Sequence, residues 1–262
     1  MFSEIRSRDP LLFWIGAAMM LTFVVCALVS IGDQRLILGI NPWIKPMKFL
    51  TSVTIFLWTV AWFMPETMSA RGRSLVRWTI GPAMIIELTF IILQSARGVA
   101  SHFNHATAFD DVIFSIMGMT IGVNTLAMIL FLAIIRRDTP PQRAGYIWGI
   151  RLGVVLFLLA SAQGGLLVAN DAHTVGAPDG GPGLPFVNWS TGYGDLRIAH
   201  FFGMHAMQAL PLIGFVLDKS LPRRSSAGAK AGNLVIAISI IWLAVMGGLV
   251  TLALQGRPLL SL

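Results

Sequence analysis

Seven apolar segments, each about as long as a membrane is thick, constrain this chain more than any other feature. A transmembrane helix needs roughly 20 mainly apolar residues, because hydrocarbon does not tolerate unsatisfied backbone groups. The predicted spans are residues 11–31, 42–64, 78–97, 111–135, 148–169, 195–217 and 233–254. The first follows a basic stretch but is too long for a signal peptide, so we expect it to be retained. The predicted fold class is therefore all-α, a polytopic integral membrane bundle of seven transmembrane helices.

The composition excludes other classes of protein. Hydrophobic residues make up 55% of the chain and charged residues only 12%, whereas soluble domains are nearer a quarter charged. No segment is polar enough to fold as a separate water-soluble module, so residues 1–262 are predicted to form one transmembrane domain. The single cysteine, Cys26, excludes an intramolecular disulfide, a four-cysteine iron–sulfur cluster and a cysteine zinc site.

The formal net charge of +7 indicates the orientation of the spans rather than a nucleic-acid partner. Thirteen of the nineteen basic residues fall on one side of the predicted spans: Arg6, Arg8, Arg71, Arg73, Arg77, Arg136, Arg137, Arg143, Arg151, Lys219, Arg223, Arg224 and Lys230. Basic residues collect in cytoplasmic connections, so we expect the N-terminus in the cytoplasm and the C-terminus outside. The chain is predicted to be a multi-pass protein of a cell membrane, the bacterial inner membrane, with the lipid bilayer as partner.

The longest connection, at about residues 170–194, joins the fifth and sixth spans on the predicted outer side. Its glycines and prolines argue against regular secondary structure, while Phe186, Trp189 and Tyr193 supply apolar surface. Loops of this length are usually functional or disordered, and we expect a folded outer cap rather than a loose loop. The first three and last three spans show no internal repeat, which argues against an inverted-repeat transporter.

All five histidines fall on the predicted outer side: His102, His105, His173, His200 and His205. Imidazole binds haem iron and transition metals, so each is a candidate metal ligand. The alternative for each is an ordinary polar residue at the membrane interface or in the core. His102 and His105 are three residues apart and could share one face of a helical turn. His200 and His205 differ by roughly 140° around a helix, so we expect them to point into different parts of the bundle.

Polar residues in the third predicted span form a second candidate site. Glu87, Phe90, Gln94, Arg97 and Ser101 follow one another at helical spacing along a single stripe. Glu87 lies near the centre of the span, where an ionisable side chain is costly and indicates function. We predict that Glu87 supplies or accepts protons, that Arg97 is a second catalytic residue at the outer mouth, and that Gln94 binds a cofactor.

Four polar residues on other spans have depths comparable to that of Glu87 and are its predicted partners. They are Asn124, Gln163, His205 and Gln208. Gln208 is also a candidate cofactor-binding residue.

Two lysines at the start of the second span form a third candidate site. Lys45 and Lys48 are near neighbours on one helical face, with Trp43 as an interface anchor. They could bind lipid phosphate. Alternatively, they bind a cofactor or substrate through an anionic group such as a haem propionate, a quinone oxygen or a carboxylate.

These residues favour an outward-facing, histidine-lined site that binds haem or a transition metal and has a redox role, as in a membrane oxidoreductase. The substrate would be a small molecule or a quinone. One alternative is a proton-coupled transporter of a small solute, in which Glu87 and His205 form a proton relay. Another is an accessory subunit whose partner is a larger membrane complex. The sequence contains no P-loop, dinucleotide fingerprint, nucleophile elbow or zinc-protease motif.

Overall fold

A computed structural model describes residues 1–135, 140, 143–221 and 227–261. Within these residues, seven helices are long and apolar enough to cross a membrane, which confirms the predicted fold class. The orientation of these helices stays a prediction. Four of the basic residues on which it rests, Arg136, Arg137, Arg223 and Arg224, lie outside the described part of the chain.

The elements run in the order α1 Phe2–Arg8, α2 Pro10–Gly32, α3 Ile44–Thr67, α4 Ala70–Arg97, α5 Ala108–Ile134, α6 Ala144–Asn170, β1 Thr174–Val175, β2 Gly194–Asp195, α7 Leu196–Met204, α8 Ala206–Ser220 and α9 Ala227–Leu254. The helix α4 begins well before the predicted residue 78. Ser69 caps it by accepting a hydrogen bond from the Gly72 N–H, and its first two turns carry basic residues that a criterion of apolarity does not detect. The sixth span consists of α7 and α8, which meet at His205.

The described residues divide into two compact units, Met1–Ile135 and Arg136–Leu262. In unit 1, α2 packs against α3 and α4 packs against α5, while α3 also contacts α4. In unit 2, α6 lies against α8, α9 and α7. The candidate residues Lys45, Glu87 and His102 thus belong to unit 1, whereas His200 and His205 belong to unit 2.

The tightest helix contact of unit 2 depends on glycines at every fourth position of α6. Gly145, Gly149 and Gly153 form a G-x-x-x-G-x-x-x-G pattern, which allows close approach of transmembrane helices. A Cβ atom on Gly149 would lie 2.5 Å from the carbonyl oxygen of Leu210 on α8. Asp218 of α8 then caps α6, accepting hydrogen bonds from the N–H groups of Gly145 and Tyr146 at 2.9 and 2.8 Å.

Backbone pairing and the carboxylate of Asp179 hold the beginning of the connection after α6. Strands β1 and β2 pair antiparallel, with Thr174 opposite Asp195. Asp179 accepts hydrogen bonds from the Thr174 N–H at 2.8 Å and from the His173 N–H at 3.0 Å, and its Oδ2 lies 2.5 Å from His173 Nδ1. Burial opposes ionisation of Asp179, but the hydrogen bonds and the charge of His173 outweigh it and hold the pKa of this carboxyl well below its usual range.

Candidate functional site

Glu87 is the buried centre of a polar cluster in unit 1. It lies in the middle of α4 and is 1% exposed. The Thr120 hydroxyl on α5 donates to Glu87 Oε2 at 3.1 Å, and His102 Nε2 lies 4.0 Å from Glu87 Oε1. Lys45, on α3, is a basic residue near enough for its charge to influence this carboxylate. Side chains from α3, α5 and the α4–α5 connection therefore converge on one carboxylate of α4.

His102 reaches Glu87 because α4 ends at Arg97 and the chain then turns back toward the helix. Gly98 adopts the left-handed conformation, with φ 77°, and its N–H closes the helix on Ser95 and Gln94. The described residues between Arg97 and Ala108 contain no helix. The predicted helical turn carrying His102 and His105 on one face is therefore wrong, and Ser101 is not on the α4 stripe, because the chain folds back after Gly98.

An aromatic collar surrounds the His102 ring. It consists of Phe49, Phe103 and Phe114, whose ring centroids lie 6.0, 6.1 and 6.0 Å from that of His102. The His102 Nδ1 is hydrogen-bonded to Ser101 Oγ at 3.1 Å. The collar and Ser101 together direct Nε2 of the imidazole toward the carboxylate of Glu87.

His105 belongs to a separate, outer pair. Its Nδ1 lies 2.5 Å from Asp111 Oδ1, and the two side chains are 50% and 51% exposed. The ring of Phe114 also contacts His105, with centroids 5.8 Å apart and planes at 82°. Phe114 thus touches both imidazoles of the α4–α5 connection.

Arg97 and Gln94 meet at Asp110, which is 2% exposed, and form with it a polar latch between the end of α4 and the beginning of α5. Arg97 Nη1 lies 2.5 Å from Asp110 Oδ1 and also donates to Gln94 Oε1. Gln94 Nε2 donates to Asp110 Oδ1 at 2.8 Å, and Thr107 donates to Oδ2 at 2.6 Å. The polar groups of Arg97 and Gln94 that were predicted to serve catalysis and a cofactor are thus engaged with a neighbouring carboxylate.

Two other predicted residues of unit 1, Lys48 and Asn124, lie on the same helices as residues of the Glu87 cluster. Lys48 follows Lys45 by three residues on α3, and the Lys45 ammonium lies 6.0 Å from the Phe49 ring centroid. Asn124 lies one turn beyond Thr120 on α5 and is 5% exposed. Its Oδ1 has no hydrogen-bond partner among the residues that the structure describes. The pairing of Glu87 with residues of unit 2 stays a prediction.

In unit 2, the ring of His200 is fixed by α6. Its Nδ1 lies 2.9 Å from the carbonyl oxygen of Ala160, so Nδ1 carries the proton that it donates and Nε2 carries the lone pair. The absence of a side chain at Gly164 leaves room for the imidazole. The His205 ring lies against Phe201, with centroids 4.3 Å apart and planes tilted at 59°.

The histidines form no chelating cluster in the described residues. No group of three or more His, Cys, Asp or Glu side chains is placed there to hold a metal ion. Within unit 1, His102 faces Glu87 whereas His105 faces Asp111.

Three residues that contact the candidate site were not predicted from the sequence. Thr120, Asp110 and Asp111 contact predicted site residues but lie in a strongly apolar span. A local signal existed for one of them, because Thr107 and Asp110 have the spacing of a helix cap, which the Asp110 N–H to Thr107 Oγ bond forms at 3.2 Å. Comparison of the chain with protein-family models, curated proteins and solved structures finds no match.

Proposed function

We propose that unit 1 carries an outward-facing acid–base site, at which Glu87 takes up and releases a proton through His102. The observation that carries this proposal is the approach of His102 Nε2 to within 4.0 Å of a carboxylate that is 1% exposed. A carboxylate in a transmembrane helix is retained at a cost in stability, and such residues commonly serve proton transfer or binding. His102 belongs to the α4–α5 connection and brings an imidazole, a side chain well suited to proton exchange, up to Glu87.

The proton step exchanges an ion pair for a neutral pair. Imidazolium at His102 gives its Nε2 proton to Glu87 Oε1, which leaves a neutral imidazole and a carboxylic acid, and the reverse step restores both charges. The 4.0 Å separation closes by a small movement of the ring or through one water. Ser101 fixes the far nitrogen, while Thr120 and Lys45 stabilise the carboxylate when the proton has left.

Such a site serves a small molecule or a quinone whose reaction consumes or releases protons. Lys45 fits this role because it brings a basic side chain of α3 to the site.

The infrared carbonyl band of protonated Glu87 tests this proposal. Wild-type protein in liposomes is expected to show a carboxylic acid band that grows as the pH falls, shifts in D2O and disappears in Glu87→Gln. Glu4→Gln, which alters a carboxylate of α1, should leave the band in place. His102→Gln should slow the D2O shift by about 100-fold, since a positioned general acid–base group contributes roughly 10²–10⁴. An acid band that is unchanged in Glu87→Gln would contradict the proposal.

A haem or transition-metal site with a redox role is a second candidate, and one contact in unit 2 favours it. Metal-bound histidines usually donate their other ring N–H to a carbonyl or carboxylate, and His200 donates Nδ1–H to Ala160. His200 Nε2 would hold the iron, and haem would supply one-electron chemistry. Gln208 lies with His205 in the following turns of the same span.

Absorption spectra of the oxidised and reduced protein, together with metal analysis, test this candidate. A haem band present in the wild type should be lost in His200→Ala and retained in His105→Ala, which alters a histidine of unit 1. A colourless, metal-free preparation that retains its helical fold would exclude it.

A further inference from the structure

We infer that His105 and Asp111 form an outer proton-binding pair that supplies His102 and Glu87, and that the ring of Phe114 is the barrier between the two pairs. This inference rests on the proposed acid–base function of Glu87. It adds three groups, His105, Asp111 and Phe114, that have no role in the proton step between His102 and Glu87.

The outer pair has the exposure that a proton-collecting group needs. Asp111 and His105 are each about half exposed, and their Oδ1 and Nδ1 atoms lie 2.5 Å apart. A carboxylate beside an imidazole raises the local concentration of protons and favours the imidazolium. The inner pair differs, since Glu87 is buried and the His102 side chain is only 22% exposed.

Phe114 lies between the two pairs along α5. It follows Asp111 by three residues, nearly one helical turn, and precedes Thr120, the hydrogen-bond donor to Glu87, by six residues or about 9 Å. Its ring contacts His105 at 5.8 Å and His102 at 6.0 Å. Phe103 packs edge-on against it at 5.5 Å.

A phenyl ring has neither a donor nor an acceptor for a proton. Transfer from His105 to His102 therefore requires Phe114 to move aside and admit a water that hydrogen-bonds to both imidazoles. Its contacts with Phe103 and with the two imidazoles oppose that movement only modestly, because each aromatic pair is weakly stabilising. The barrier is thus strong enough to slow exchange and weak enough to open thermally.

Other charged groups near this path are already paired or face Glu87, and we therefore assign the half-exposed His105–Asp111 pair as the point where protons enter. Lys45 of α3 and His102 face Glu87. At the outer ends of α4 and α2, two ion pairs are internally compensated. They are Arg97 with Asp110, and Arg35 with Asp33.

The rate at which the Glu87 acid band shifts after transfer to D2O tests the inference. Phe114→Leu should accelerate the shift by about tenfold, because a water then fits between the imidazoles. Asp111→Asn should slow it by about tenfold, since local charge raises proton capture roughly 10–10³-fold. Val112→Ala, on the exposed face of α5 between these two positions, should leave the rate unchanged. Phe114→Met serves the same purpose if the leucine variant does not fold.

The outcomes separate this inference from the proposed function. A Glu87 band that titrates normally, with rates unaffected by Asp111→Asn or by the Phe114 variants, would overturn the outer pair and the barrier while leaving the acid–base site intact. Loss of the Glu87 band from the wild type would instead remove the function on which both rest.

Discussion

Gly149→Leu is expected to unfold unit 2 under conditions in which the wild type is stable. The new Cβ alone would lie 2.5 Å from the Leu210 oxygen and 2.7 Å from both the Leu210 carbonyl carbon and Pro211 Cα. All three are backbone atoms, so α8 as a whole must move away from α6. Overpacking of this kind costs about 3 kcal/mol. The loss is severe in a membrane, where close packing rather than the hydrophobic effect holds helices together.

The same helix provides a matched control. Nothing lies within 4 Å of a Cβ placed on Gly165 of α6, so Gly165→Leu should be tolerated. It should even favour the helix slightly, since glycine disfavours helix by about 1 kcal/mol relative to alanine. Thermal unfolding of the three proteins in detergent, followed by circular dichroism, provides the comparison. Equal midpoints for the wild type and Gly149→Leu would mean that α6 and α8 are not in contact.

The spans could be predicted because the membrane imposes a length and a polarity on each. The predicted first span, residues 11–31, differs from α2, Pro10–Gly32, by one residue at each end. The start of α4 could not be found in this way, since its basic first turns have no apolar signature. The glycine pattern of α6 is visible in the sequence. The sequence does not predict which helix packs against it, because several spans contain small residues.

Glu87 could be singled out because a buried carboxylate in a span is costly, whatever its surroundings. Its neighbours could not, because they depend on the register of α4 against α5. That register follows from Gly98 and the connection to Ala108, which turn the chain back on itself. Arg97 then meets Asp110, and Glu87, ten residues before Arg97, meets Thr120, ten residues after Asp110. Because the two pairs are ten residues apart on both helices, either pair would have predicted the other. The contacts of Phe49, Phe103 and Phe114 with His102 could not be predicted from the sequence, since phenylalanine is common in membrane spans.

Arg97→Met is expected to destabilise unit 1 by about 3 kcal/mol, because removing one partner of a buried ion pair costs roughly 3–5 kcal/mol. The lower end applies because the Arg97 side chain is 33% exposed and water shares its role. Asp110 would keep its bonds from Gln94 and Thr107 but lose its only described cationic partner.

The double variant Arg97→Met/Asp110→Asn decides whether the lost charge is the cause. An amide at position 110 needs no cation: its oxygen can still accept from Gln94, and its NH2 group, in place of Oδ2, can donate to the Thr107 hydroxyl. The second substitution should therefore recover about 1–2 kcal/mol of the loss. Asp110→Asn alone should cost about 1 kcal/mol, since a neutral hydrogen bond replaces a charged one. A double-mutant cycle of unfolding free energies in detergent measures the coupling. Additive effects of the two substitutions would mean that the latch is held by packing, whereas coupling above about 1 kcal/mol would assign it to the ion pair, as found for residues that share a network.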